Sequence, residues 1–148
     1  MLKTNRSLLV YILLNIVTLG IYSLFFIHGI AKDMNTACNG DGKHTKGLIA
    51  YILLTAITCG IYSIVWHYGV CERIAMNSHR RGVACTVDGG NFLLWFLLGS
   101  LLCGIGIFVA MHKMLVGMNN LCAAYNANPS GVVAYAATPV VNVNINNG

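Results

Sequence analysis

The stretch "TLGIYSLFFIHG" at Thr18–Gly29 returns forty residues later as "TCGIYSIVWHYG" at Thr58–Gly69, each copy carrying a glycine between apolar arms. A third version, "WFLLGSLLCGIGIF" at Trp95–Phe108, falls into register when Gly20, Gly60 and Gly104 are set level. Tyr11, Tyr51 and Trp95 then coincide, as do Ile21, Ile61 and Ile105, and His28, Tyr68 and His112. The match continues into the loops. "MNTAC" at Met34–Cys38 meets "MNNLC" at Met118–Cys122, and "CNGDG" at Cys38–Gly42 is answered by "CTVDG" at Cys85–Gly89. A fixed period of this length marks one structural unit used several times. The three repeats are placed at about 7–38, 47–85 and 91–122, within a domain covering 1–126.

The composition sets the solvent. Hydrophobic residues make up 57% and charged residues 9% of 148, against roughly 25% charged in soluble domains. Ser7–Ala31 and Gly47–Cys71 each hold 25 residues without a formal charge, and Gly89–His112 holds 24. Each run exceeds the roughly 18 apolar residues that suggest membrane insertion. The expected class is an all-α integral membrane protein. Lys3 and Arg6 before the first run suggest a signal peptide, but the run is too long and no small-x-small site follows, so a retained segment is expected.

The central glycines decide between two topologies. The arm Leu8–Thr18 spans 11 residues, about 16 Å as a helix, or half of a hydrocarbon core of about 30 Å. Glycine there closes a helix in the left-handed conformation, or lets a neighbouring helix approach. Each repeat is thus either a glycine-broken helical hairpin entering and leaving on one side, or a single spanning helix. With three spans, Lys3, Arg6, Arg73, Arg80 and Arg81 face Lys32, Lys43, Lys46 and Lys113 across the membrane. That division shows no positive-inside bias. The matched loop chemistry also favours hairpins.

The net charge of +5 sits in short juxtamembrane loops, which suits anionic lipid headgroups and not nucleic acid. The candidate headgroup contacts are Arg6, Lys32, Lys43, Lys46, Arg73, Arg80, Arg81 and Lys113. Polar residues inside the apolar runs are few, among them Asn15, Thr55, His28 and His112, and none is a carboxylate or lysine. Cys38, Cys85, His44 and His79 match no zinc spacing. "GDGK" at Gly40–Lys43 reads as a turn and is too short for a phosphate loop. No nucleophile–base pair is present, and neither an enzyme nor a cofactor is expected.

The phrases "YILLNIVTLGIYSLFFI", "AKDMNTACNGDGKHT", "YILLTAITCGIYSIVWHYG", "LLGSLLCGIGIFVAMH" and "NNLCAAYN" resemble the bacterial membrane family catalogued as domain of unknown function 4234. The resemblance covers about Arg6 to Asn126 and implies location in a bacterial cytoplasmic membrane. It carries no activity and no catalytic residue to transfer. Proline often follows the third Gly-Ile-Gly in the family pattern; this chain has Ile107.

The tail, 127–148, has no charge and contains Pro129 and Pro139, which exclude a continuous helix. Over 140–146, Val141, Val143 and Ile145 alternate with asparagines, a strand period. Such a strand would pair with copies in neighbouring molecules; a disordered tail fits equally. The functional expectation is a self-associating, membrane-shaping homo-oligomer in contact with lipids. The alternatives are a small transporter or channel-forming oligomer, or an adaptor for a cytoplasmic partner.

Overall fold

The computed structural model describes residues 1–130, and these contain six helices and no strand. They are α1 (Leu8–Val17), α2 (Ile21–Ala37), α3 (Leu48–Ile57), α4 (Ile61–Arg80), α5 (Gly89–Leu101) and α6 (Ile105–Ala127). The strand period over 140–146, with Val141, Val143 and Ile145, lies outside the described residues.

Short and long helices alternate because the chain breaks at the three levelled glycines. Gly20, Gly60 and Gly104 have φ of 90°, 95° and 80°. The left-handed turn starts one residue earlier, at Leu19, Cys59 and Cys103, with φ of 51°, 51° and 53°. A Cβ on any of the three glycines would meet nothing within 4 Å. Their role here is conformational, and no neighbouring helix presses on them.

The first two turns close their own hydrogen bonds. Gly20 N–H donates to Asn15 O at 2.7 Å and Leu19 N–H to Ile16 O at 3.3 Å. This is the paired pattern that satisfies the last carbonyls of a helix. Thr18 Oγ1 donates to Leu14 O and accepts from Tyr22 N–H, tying the two helices together. Every N–H from Thr18 to Ser23 therefore has a partner, and Thr58 to Ser63 repeats the arrangement. Valine at Gly20 or Gly60 would hold a branched side chain in the left-handed region. Each change is expected to cost about 1–2 kcal/mol, read as a lower unfolding midpoint in detergent.

The third turn has Leu102 where the others have threonine, and it closes by backbone approach. Gly99 and Gly106 meet face to face: a Cβ on Gly106 would fall inside the backbone of Gly99 and Trp95.

Each hairpin packs on the next. α1 lies between α2 and α6, α3 between α2 and α4, and α5 between α4 and α6. The core is built mainly on the three long helices, with Ile30, Met34, Val70, Ile74, Met114, Met118 and Leu121 fully buried, and Val87 and Phe92 add to it from the loop before α5 and from α5 itself. α1 and α3 bury no residue completely. Among the described residues one helix, Ile105–Ala127, is long and apolar enough to cross a membrane.

Candidate functional site

The molecule has two unlike ends. At one end the three turns project side chains with no protein cover: Leu19 is 93% exposed and Leu101 86%. Leu13, Ile16, Val17, Ile21 and Phe25 continue this surface on the first hairpin, Leu53, Ile57 and Ile61 on the second, and Leu97, Leu102 and Ile105 on the third. So large an uncovered apolar surface marks an interaction site. We call this end the crown. The opposite end, the base, is where the helix ends and loops bond to one another. All charged residues lie there or along the long helices away from the turns, Lys113 in the first half of α6 being the one nearest a turn.

Asparagine side chains fasten the base by pairing with backbone as a strand would. Asn35 Nδ2 donates to Thr45 O at 3.0 Å while Thr45 N–H donates to Asn35 Oδ1 at 2.8 Å. Asn119 holds Arg6 the same way, and Asn126 holds Leu2. The first two clamps fix the segments leading into α3 and α1. Arg6 is ion-paired with Asp33, its side chain 6% exposed.

The most elaborate cluster surrounds Arg73 on α4. Its side chain is 4% exposed and that of its partner Asp41 1%. Nε–H donates to Asp41 Oδ2 at 2.7 Å and Nη2–H to Asp41 Oδ1 at 3.0 Å. Nη2 also reaches Lys43 O, while Nη1 reaches Asn35 Oδ1 and Thr45 Oγ1. All five N–H donors of the guanidinium thus have acceptors. Asn77 Nδ2 donates to Asp41 Oδ2, and Lys43 N–H to Asp41 Oδ1. The turn at Cys38–Lys43 is moulded on this arginine.

Burial alone would raise the Asp41 carboxyl. The hydrogen bonds from Arg73, Lys43 N–H and Asn77, with the Arg73 charge, outweigh it and hold the carboxyl below its ordinary 3.8. A depressed folded-state pKa contributes stability above the unfolded value, lost as pH falls through the folded one. Unfolding midpoints are therefore expected to fall on acidification below about pH 4, and Asp41→Asn to flatten that dependence. For three thiols burial wins: it pushes Cys38 up to about 12, and raises Cys71 and Cys122 as well.

The candidate headgroup cations divide on this geometry. Arg73 and Arg6 point inward, Arg73 with all its donors engaged and Arg6 paired with Asp33. Arg80 bonds Asn77 Oδ1 and Gly40 O. Arg81 bonds Ala37 O and Asn128 O and lies over the Tyr125 ring. Lys113 reaches Asn91 Oδ1 and covers Trp95. Lys32, Lys43 and Lys46 remain exposed. The inward arginines carry no marker in local composition. The usable signal is the repeat: at the forty-residue offset Arg6 meets Lys46 and Asp33 meets Arg73. The second repeat cannot form the Arg6–Asp33 pair, so Arg73 turns to Asp41. Among the described residues no group of three metal-ligating side chains gathers.

The model of a family described as Domain of unknown function (DUF4234) matches residues 6–76 and again residues 46–120. The chain belongs to this family. The two DUF4234 matches share residues 46–76. The α3–α4 hairpin is therefore the later part of one match and the earlier part of the other. No curated protein and no solved structure matches the chain.

Proposed function

We propose that this protein is a non-enzymatic scaffold that inserts into one leaflet of a bacterial cytoplasmic membrane, self-associates, and bends the bilayer. The observation that carries the reading is the separation of the two ends: exposed apolar side chains at the three turns, charges at the base. Helices α1 and α3 have ten residues each and α5 has 13, about 15–20 Å of helix. That depth suits one leaflet of a core about 30 Å thick. Hydrocarbon admits a chain reversal only where backbone groups are internally satisfied, and the first two turns leave no N–H free between Thr18 and Ser23 or between Thr58 and Ser63. Three hairpins in one leaflet displace lipid there and not in the other, which favours curvature.

The length of α6 favours a second reading, in which that helix crosses the bilayer. Its later half, however, packs Met118, Leu121 and Cys122 into the buried core of the base. A transport path through Asn15, Thr55 and the hydroxyls has one unpartnered member, the buried Thr55 Oγ1; the others are tied up. Asn15 Nδ2 is tied to Tyr11 O, Thr18 and Ser23 to nearby carbonyls, and Ser63 to Tyr51.

The test is reconstitution into liposomes at increasing protein density, viewed by electron microscopy, with crosslinking to follow association. Tubules or shrunken vesicles together with crosslinked oligomers are expected. Spherical liposomes at high density, or monodisperse monomer throughout, would overturn the proposal.

A further inference from the structure

Two clefts at the junction of base and crown are related by the repeat. The larger, about 590 Å³, lies between the Lys43–Lys46 segment and α4, walled by Tyr62, Val65 and Trp66 and floored by Gly69. The smaller, about 250 Å³, lies in the first hairpin with Lys3, Arg6, Tyr22, Phe26 and Gly29 in the corresponding places. At Gly29 and Gly69 a Cβ would meet nothing within 4 Å, so both floors are open. The third hairpin lacks the residues that shape these clefts: Gly106 and Lys113 stand where Tyr22 and Gly29 stand in the first.

We infer that the α4 cleft is a binding site for an anionic phospholipid, an inference that rests on the one-leaflet reading above. Lys43 and Lys46 at its mouth are exposed and make no side-chain ion pair. The other charged groups lining it are otherwise engaged: Arg73 faces Asp41, and Glu72 Oε1 accepts Gly89 N–H at 2.9 Å. Glu72 keeps its negative charge, because an N–H bond does not neutralise it; with Arg73 paired to Asp41, Lys43 and Lys46 still leave the cleft net positive, complementary to an anionic headgroup. Beyond the lysines the wall is aromatic and aliphatic, surface that a dissolved anion does not use and an acyl chain does. Tryptophan and tyrosine at this level suit the headgroup boundary, and Trp66 is oriented by its Nε1–H bond to Lys46 O at 3.0 Å. The volume lies within the range of ligand sites.

Trp66 makes the site readable. In full-length Trp95→Phe protein it is the sole tryptophan, and phospholipids brominated on the upper acyl chain quench an indole beside them. Brominated phosphatidylglycerol is expected to quench Trp66 at a lower mole fraction than brominated phosphatidylcholine. Lys43→Gln with Lys46→Gln should erase that preference, at roughly fivefold per lysine from about 1 kcal/mol each. These changes leave the Arg73 cluster intact, since Lys43 contributes only its backbone there. Gly69→Leu fills the floor of a helical position with open space and should weaken quenching by both lipids. Equal quenching by the two lipids in the parent, or a preference unchanged in the double lysine variant, overturns the site. Loss of the preference on adding inorganic phosphate at constant ionic strength also overturns it, because the lysines would then hold a free anion. A parallel Leu19→Trp, Trp66→Phe, Trp95→Phe protein separates the two levels. If deep acyl bromines leave that indole unquenched, the one-leaflet reading fails; if they quench it while Trp66 shows no preference, only the lipid site fails.

Discussion

Arg73→Leu is expected to lower the unfolding free energy by about 3–5 kcal/mol at neutral pH, the usual result of stripping one partner from a buried ion pair. Asp41 is left with its side chain 1% exposed and loses the donors from Nε and Nη2. Asn35 Oδ1, Thr45 Oγ1 and Lys43 O each lose a donor at the same time. Lysine at 73 should recover little, since one ammonium cannot reach five acceptors in a planar fork. The double replacement Arg73→Leu with Asp41→Leu should recover much of the loss, because no uncompensated charge remains. Denaturant titration in detergent reads all three. A loss below about 1 kcal/mol in the single variant, the range of exposed pairs, would mean that the cluster does not hold the base together.

The second large effect is expected in the third hairpin. A side chain on Gly106 falls inside the backbone of Gly99 and Trp95, and backbone cannot yield as a flexible side chain does. Gly106→Val should cost at least the upper part of the roughly 1–3 kcal/mol seen for overpacking, since α5 and α6 must separate. Gly29→Ala and Gly69→Ala are the controls. Both lie inside helices in open space, where alanine is favoured over glycine by about 0.8–1.0 kcal/mol. Adding a side chain to a helical glycine is therefore expected to act in opposite directions at positions the sequence alone does not separate.

That contrast shows what could be read from the chain. The forty-residue phrase marks the breaks, and the levelled glycines are the positions where helices end and begin. The uncharged runs are the stretches that form the crown. Two features resist such reading. Leu19, Cys59 and Cys103 occupy left-handed backbone, a conformation that residue type argues against; their extreme exposure at the turn makes room for the side chain. The arginines of the base look like surface cations in one dimension. Charge in a loop does not reveal whether it faces lipid, water or a carboxylate thirty residues away. Gly117, at the place of Asp33 in the third repeat, is also uninformative in isolation. Val87 closes over it, and a Cβ there would sit 2.8 Å from that side chain.

The central claim is that the three hairpins enter from one side. Single cysteines replacing Asn39, Thr86 and Ala127, all exposed at the base, test it in a chain otherwise free of cysteine. An impermeant thiol reagent is applied to intact cells and then to opened ones. The account predicts that all three positions react in the same step, shielded together until the cells are opened. Reaction of Asn39→Cys and Thr86→Cys on opposite sides would mean that the chain crosses the bilayer between them, and the one-leaflet wedge would be contradicted.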